Sequence, residues 1–210
     1  MRHITSLTPS RRDSSKLIIQ VNGKSMATLS RRQIETIGLE IENEWTDAVA
    51  AKVADAVAFE GAFDQAMRMI NRKRLSRAKV NEKLLERGHD ELVVERVVAK
   101  LLAIGALNDE TLATDLVDEI DRTRPAGPAM KRAKLAQRGV SEDVIDRIVG
   151  KTASPSSQLA DARKLIASRS KALAKLDETT RKRRLWGLLA RRGFDEETID
   201  TVLGGAACDE

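Results

Sequence analysis

The side chains best suited to chemistry in this sequence are lysines and arginines, which recur in three clusters. Residues 163–192 contain eleven basic residues against two acids, residues 122–138 contain six and no acid, and residues 68–87 contain eight against two. Residues 109–121 have the opposite composition, with six acids and no base. Clustered cations bind phosphates and carboxylates. The clusters therefore predict a surface for a polyanion or an acidic protein groove, and solvated helix faces are the alternative interpretation.

Residues that could catalyse a reaction or hold a metal are sparse. His3, His89 and Cys208 do not form a nucleophilic arrangement or a set of three or four metal ligands. Gly23-Lys24-Ser25 resembles the end of a phosphate-binding loop, but isoleucine stands where that motif requires its first glycine. The acids of residues 109–121 are better explained as the polar start of a helix. We therefore expect no enzyme activity, no cofactor and no metal.

The basic clusters belong to a segment that occurs three times. Each copy contains the pattern leucine, two further residues, arginine and glycine, and its glycine is Gly88, Gly139 or Gly193. These glycines are 51 and 54 residues apart. A near-fixed period of this length indicates a tandem array of one supersecondary unit. Each glycine follows good helix formers, so we expect it to close a helix in the left-handed conformation.

Each copy is predicted to fold as a helix, a tight corner and a second helix, with a further helix before them. Asp90, Ser141 and Asp195 stand where the N-cap of the last helix belongs. Apolar residues follow them at helical spacing. The preceding helices are predicted at residues 63–74, 108–122 and 159–176. Such three-helix modules are near the lower size limit for a self-sufficient core, so they are expected to stack on their neighbours.

Two short segments predict how the modules are joined. Residues 125–128 read Pro-Ala-Gly-Pro, and Pro128 suits the first turn of the helix that follows. Residues 154–157 read Ser-Pro-Ser-Ser and predict an exposed, mobile joint between the second and third copies.

The start of the chain has a different pattern. Two apolar runs flank Asn22-Gly23, which accepts the two positive φ angles of a type I′ turn, so a β-hairpin is predicted. Ser30 can cap a short helix that ends at Gly38, and another helix is predicted to begin near Thr46.

The predicted fold class is mainly α, a tandem array of three three-helix repeats with a small N-terminal module containing a β-hairpin. The predicted divisions are the hairpin module at residues 1–58, the repeats at residues 59–105, 106–152 and 153–204, and a flexible tail at residues 205–210.

Composition predicts a cytoplasmic protein without a membrane partner. No apolar run is long enough to span a bilayer, and the first fifteen residues lack the apolar centre of a signal peptide. A single cysteine excludes an internal disulfide framework. We expect the protein to be a monomer.

The order of these blocks resembles RecX, the bacterial regulator of the RecA recombinase. Residues 74–88 resemble the first conserved block of that family, and residues 101–113 resemble the block that opens its second repeat. Residues 124–139 resemble its Gly-Pro-containing link and second middle helix, and residues 189–195 its terminal block. The resemblance covers residues 4–203. The family usually has an aromatic residue where this chain has leucine in its second repeat, at Leu112.

The resemblance implies an inhibitor that lies in the groove of a RecA–DNA filament and limits filament growth, strand exchange and SOS coprotease activity. The implied partners are the RecA filament and, weakly and without sequence preference, single- or double-stranded DNA. The residues expected to contact the filament are basic residues of the middle helices: Arg74, Arg77, Lys79, Lys83, Arg87, Lys131, Lys134, Arg138, Arg181, Arg184, Arg191 and Arg192.

Two other functions fit the same sequence. Three-helix modules with basic helices also resemble helix-turn-helix arrays, so a stand-alone DNA-binding protein is the main alternative. The acidic start of each third helix opposes it, because that end would enter a DNA groove and meet phosphates. A structural adaptor between proteins is the other possibility.

Overall fold

The computed structural model describes residues 1–205, so most of the predicted tail, with Cys208, lies outside the described residues. The chain forms two compact units. The first contains residues 1–74 and 80–106, and the second contains residues 75–79 and those from 107 onward. The predicted fold class is confirmed, since three-helix repeats follow a small antiparallel sheet.

The sheet contains the predicted hairpin and one strand that the sequence did not reveal. Strands β1 (Ile4–Pro9), β2 (Lys16–Val21) and β3 (Lys24–Ser30) pair antiparallel in that order. Asn22 and Gly23 form the turn with φ of 48° and 76°, as a type I′ turn requires. Strand β1 was missed because only its first residue, Ile4, is buried, so it lacks an alternating apolar pattern.

One long helix connects the sheet to the first repeat. Helix α1 (Arg31–Ile37) is capped by the Ser30 hydroxyl and ends at Gly38, as predicted. Helix α2 (Asp47–Arg72) then runs for 26 residues without interruption. Its first half packs on the sheet through Val53 and Ala56. The predicted division at residue 58 therefore falls inside a continuous helix.

Polar contacts also hold α2 against the sheet. The Lys16 ammonium lies 2.5 Å from a carboxylate oxygen of Asp64. The two carboxylate oxygens of Glu60 accept the Ser30 N–H at 3.0 and 3.1 Å. These contacts make the sheet and α2 one packed body.

The first repeat is completed by helices α3 (Arg77–Leu85) and α4 (Glu91–Ala103). Gly88 has a φ of 81°, and the Asp90 carboxylate accepts the N–H groups of Leu92 and Val93. Both features were predicted. The buried valines of α4 face inward, and α4 packs against α2.

The second repeat contains helices α5 (Asp109–Thr123), α6 (Pro128–Gln137) and α7 (Glu142–Thr152), with Pro128 in the first turn of α6 as predicted. Gly139 has a φ of 75°. The buried Ser76, which belongs to the same unit, donates its hydroxyl to the Arg138 carbonyl at 2.8 Å. Ser141 occupies the N-cap position of α7, but its side chain forms no capping hydrogen bond.

The third repeat contains helices α8 (Pro155–Ala167), α9 (Ser170–Leu173), α10 (Glu178–Arg191) and α11 (Glu196–Gly205). The prediction of a single helix over residues 159–176 is wrong, since α8 ends at Ala167. The hydroxyl groups of Ser168 and Ser170 donate to backbone carbonyls three residues earlier and so compete with the hydrogen bonds that would continue the helix. The joint predicted at residues 154–157 is the start of α8, with Ser154 as its N-cap.

Candidate functional site

The segment before α6 lies against the glycine corner of the third repeat. The Gly127 N–H donates to the Arg192 carbonyl at 2.9 Å, and the Ala129 N–H donates to the Gly193 carbonyl at 3.3 Å. A Cβ atom on Gly127 would lie 2.1 Å from the Gly193 carbonyl oxygen. Gly193 itself has a φ of 78°. Only glycine at both positions permits this approach of two backbones.

This approach positions the Arg192 side chain. Its guanidinium donates to the carbonyl of Arg124 and, at 2.8 and 3.1 Å, to that of Pro125. The side chain has no carboxylate partner within residues 1–205. Burial, and secondarily the positive charge of Arg124, lowers the pKa of Arg192. Its charge is therefore left without an opposite charge to balance it.

A cavity of about 390 Å³ opens beside this guanidinium. Four cationic side chains and one carboxylate contribute to its lining, which consists of Leu116, Glu119, Ile120, Thr123, Arg124, Lys134, Gln137, Arg138 and Arg192. A concave surface with an excess of one charge concentrates the electrostatic potential. The chemistry available here is anion binding, by guanidinium forks that match phosphate or carboxylate oxygens.

The cavity brings together three of the residues predicted from the sequence and one that was missed. Lys134, Arg138 and Arg192 were predicted; Arg124 was not. Arg124 lies within the basic cluster at residues 122–138, but it precedes α6 and so escaped a selection based on middle helices.

The structure excludes Lys131 from any binding surface. Its side chain is 4% exposed, and its ammonium lies 2.7 and 2.8 Å from the two carboxylate oxygens of Asp121 and 3.7 Å from Asp161. Lys131 is therefore buried in ion pairs and not at the surface as expected, because the side of α6 that carries it and Leu135 faces the core. Charge alone could not distinguish it from Lys134 on the outer side of the same helix.

The basic residues near α3 are divided between the units. Arg77 and Lys79 belong to the second unit, and Arg74, Lys83 and Arg87 belong to the first. Arg74, Arg77 and Arg87 are exposed, whereas Lys79 and Lys83 are half-buried. The Arg87 guanidinium donates to the Lys83 carbonyl at 3.2 Å, which places it against the last turn of α3.

The basic residues of α10 are mostly open to solvent. Arg181, Arg184 and Arg191 are exposed, and Arg192 is the half-buried residue of the cavity. Helix α10 buries Leu185 and Leu189 on its other side. Its cationic face is therefore available within the third repeat.

Comparison with known proteins identifies the family. The chain is 31% identical over 142 residues to "Regulatory protein RecX" of Chlorobium phaeobacteroides, an alignment that covers 68% of this chain and 91% of that protein. The chain belongs to the RecX family. A second RecX, from Pelodictyon phaeoclathratiforme, is 30% identical over 155 residues, covering 71% of this chain and 94% of the relative.

Domain models and solved structures agree with this assignment. Residues 62–101 match the first three-helix domain of RecX, and residues 156–203 match its third. A crystal structure described as regulatory protein RecX has the same fold, with a TM-score of 0.82, 21% identity, and coverage of 96% of this chain and 98% of that one. RecX from Lactobacillus salivarius gives a TM-score of 0.66 at 16% identity, covering 72% of this chain and 97% of the other.

Metal ligands and membrane-spanning helices are both missing from the described part of this RecX-family protein. Within residues 1–205, no group of histidine, cysteine and acidic side chains could hold a metal ion. No helix in that part of the chain has the length and hydrophobicity needed to cross a membrane.

Proposed function

We propose that this RecX-family protein inhibits a RecA recombinase by binding the RecA–DNA filament and limiting its growth. Such binding would restrict strand exchange and SOS coprotease activity. The observation that carries the proposal is the cavity of Arg124, Lys134, Arg138 and Arg192, where positive charge exceeds negative charge in a concave site. Family membership supports the regulatory role, since the relatives are named regulatory proteins.

The proposed contact set keeps the cations predicted from the sequence other than the buried Lys131, and adds Arg124. It comprises Arg74, Arg77, Lys79, Lys83, Arg87, Arg124, Lys134, Arg138, Arg181, Arg184, Arg191 and Arg192. Individual exposed charges contribute little, about 0–1 kcal/mol each. Contacts made by successive repeats with one filament add through a high effective concentration, so a long array suits a polymeric partner.

The third helices do not favour a stand-alone reader of duplex DNA. Helices α4, α7 and α11 begin with acids, at Glu91, Glu142 and Glu196, and all three side chains are exposed. A helix that enters the major groove brings its N-terminal residues close to phosphates, where these carboxylates would be repelled. Binding to naked DNA is therefore proposed to be weak and indifferent to sequence.

The direct test is the ATPase activity of RecA on single-stranded DNA, measured with increasing amounts of this protein. Replacing Lys134→Glu and Arg138→Glu together reverses two charges of the cavity. We expect the concentration for half-inhibition to rise at least about tenfold, which corresponds to about 1.4 kcal/mol of binding free energy. The matched control is Arg11→Glu with Arg12→Glu, which makes the same charge change on two exposed residues of the first unit.

Salt dependence separates the proposal from plain DNA binding. Binding to DNA through phosphate neutralisation weakens steeply with salt, because it depends on counterion release. Inhibition of RecA should persist at salt concentrations where binding to fluorescent single-stranded DNA is lost, since protein contacts add to it. Tight, sequence-selective duplex binding without any effect on RecA would overturn the proposal.

Three further properties belong to the same proposal. The protein is proposed to act as a monomer in the cytoplasm, without catalysis of its own. Sedimentation equilibrium at micromolar concentration tests the first property, and fractionation of bacterial cells tests the second. Hydrolysis of ATP by this protein without RecA would contradict the third.

A further inference from the structure

Trp186 is a large apolar side chain left at the surface of a basic helix. Its side chain is 44% exposed, whereas the other tryptophan, Trp45, is 4% exposed and belongs to the core of the sheet. Among the described residues of the second unit, Trp186 is the one large apolar residue exposed to this degree. An indole exposed in this way offers an aromatic face to a ligand, and burying that face would release favourable free energy.

The indole borders a cavity of about 440 Å³ between α10 and α11. The lining residues are Lys182, Arg183, Trp186, Asp200, Leu203 and Gly204. Lys182 and Arg183 precede Trp186 by four and three positions, so the two cations and the ring share one face of α10. Leu203 is buried below, which gives the cavity an apolar floor.

The charges near the ring are not equivalent. The Lys182 ammonium lies 2.7 Å from a carboxylate oxygen of Glu178, so its charge is partly compensated. Arg183 is exposed and forms no salt bridge in the described part of the chain, and its charge acts only weakly on Asp177, whose pKa it helps to lower after the hydrogen bonds from Thr180. Asp200 places a carboxylate on the α11 side. An anionic group is therefore attracted to the Arg183 side and repelled from the α11 side.

We infer that Trp186, together with Arg183 and Lys182, forms a stacking site for one base of a single-stranded nucleic acid. The base would lie on the exposed indole, and the adjoining phosphate would lie beside Arg183. Base–aromatic stacking combined with a nearby cation is the usual way to bind a single strand without sequence preference. A duplex does not offer a free base face, so the site would distinguish single strands from duplex.

A protein partner fits this surface less well. The core of a protein–protein interface contains several apolar side chains around its anchoring residues. Here a single indole is surrounded by charged residues, and no other large apolar side chain of the described second unit is exposed to a similar degree. The charge and the isolated ring together favour a flexible polyanion with aromatic bases.

The inference is tested on the full-length protein without RecA, so its outcome does not depend on the proposed inhibition. Tryptophan fluorescence is recorded during titration with a fifteen-nucleotide oligothymidylate at low salt. We expect quenching of the exposed indole, and no quenching in Trp186→Phe, which retains only the buried Trp45. The affinity of Trp186→Phe, measured by anisotropy of a labelled strand, should stay within about threefold of the natural protein, because phenylalanine also stacks.

Trp186→Leu is the decisive variant, because leucine keeps an apolar contact with Leu203 but has no aromatic face. We expect it to bind oligothymidylate about tenfold more weakly. The dependence of its affinity on salt should be unchanged. Arg183→Gln should instead lower the slope of log affinity against log salt by about 0.7 for the lost phosphate contact. Circular dichroism and thermal unfolding check that both variants remain folded.

Matched ligands provide the remaining arms of the test. A strand of the same length made of abasic sites has the phosphates without the bases and should bind the natural protein about as weakly as oligothymidylate binds Trp186→Leu. Equal affinity for the abasic strand and oligothymidylate would overturn the inference. So would a Trp186→Leu variant that binds oligothymidylate normally but no longer inhibits RecA, because the indole would then be a protein contact.

Discussion

The glycine corners of the second and third repeats have the same backbone conformation but different neighbours. Gly139 and Gly193 have φ of 75° and 78°. The side chain of Ser76 closes on the first corner, where its hydroxyl donates to a backbone carbonyl. At the second corner the neighbour is the backbone itself, from Gly127 to Met130. The same sequence motif therefore packs against a side chain at Gly139 and against main-chain atoms at Gly193.

This difference explains why glycines at equivalent positions of the repeats should differ in how well they tolerate substitution. A Cβ atom on Gly139 would lie 2.8 Å from the Ser76 hydroxyl oxygen, a side-chain atom that can move at the expense of its hydrogen bonds. A Cβ atom on Gly193 would lie 2.4 Å from the Met130 backbone nitrogen, which cannot move without displacing α6. A Cβ atom on Gly88 would meet nothing within 4 Å. The position of each glycine in its repeat determines its left-handed backbone conformation. The atoms that lie next to it determine how much stability its replacement costs.

The largest effect is expected for Gly193→Ala. The left-handed conformation of a non-glycine residue costs about 1–2 kcal/mol, and overpacking against backbone adds about 1–3 kcal/mol. We expect a loss of about 3 kcal/mol in the free energy of unfolding, measured by urea denaturation of the full-length protein. The same substitution at Gly139 should cost less. Equal losses at the two corners would show that the backbone contact is unimportant.

The second effect concerns Lys131, a further contact near the third-repeat corner. Lys131→Met removes the cation that faces Asp121 and Asp161 and should cost up to about 3 kcal/mol at neutral pH, because the partly buried Asp121 then lacks its partner and Asp161 keeps only Lys164. In the natural protein, burial raises the pKa of Asp121, and Lys131 opposes that rise. The variant should therefore have an Asp121 with a still higher pKa.

The sign of the resulting pH dependence follows from proton binding. A carboxyl group whose pKa is higher in the folded state binds more protons there than in the unfolded state, so stability falls as pH rises through that range. Lys131→Met should thus recover stability as the pH is lowered from 7 towards the raised pKa of Asp121. Adding Asp121→Asn should remove much of the loss at pH 7. A loss independent of pH would contradict the assigned role.

The third effect is expected for Ser76→Ala at the second-repeat corner. This substitution removes the hydrogen bond to the Arg138 carbonyl and the acceptor for the Lys79 N–H. Loss of a capping hydroxyl costs about 1 kcal/mol, and a buried carbonyl left without its donor can raise the cost to about 2 kcal/mol. Thermal unfolding measures it. Ser76→Thr serves as the control that keeps the hydroxyl.

The smallest effect is expected for Gly88→Ala, where only the backbone conformation resists the side chain. The open space around Gly88 leaves only the cost of a positive φ, about 1 kcal/mol, the lower end of the range used for Gly193. Urea denaturation under the conditions used for Gly193→Ala gives the direct comparison. A loss at Gly88 as large as that at Gly193 would show that conformation, and not the neighbour, dominates.

The sequence predicted what depends on local chemistry. The caps at Ser30 and Asp90, the turn at Asn22-Gly23 and the left-handed glycines all follow from the preferences of single residues. The proximity of Arg124 to Arg192 could not be predicted, since it results from two glycines 66 residues apart in sequence, Gly127 and Gly193, whose backbones meet. Likewise, the pattern of charges in α6 does not show which lysine turns inward.

The uninterrupted helix α2 limits where residues can be inserted into this chain or deleted from it. Each added residue in an α-helix turns everything beyond it by about 100° and advances it by about 1.5 Å. Because α2 packs on both the sheet and α4, one residue inserted into it would turn part of its packed surface away from a partner. The rotation of the first repeat about the α2 axis, relative to the sheet, therefore depends on the number of residues in α2. Their connection tolerates exchange of residues far better than insertion or deletion of one.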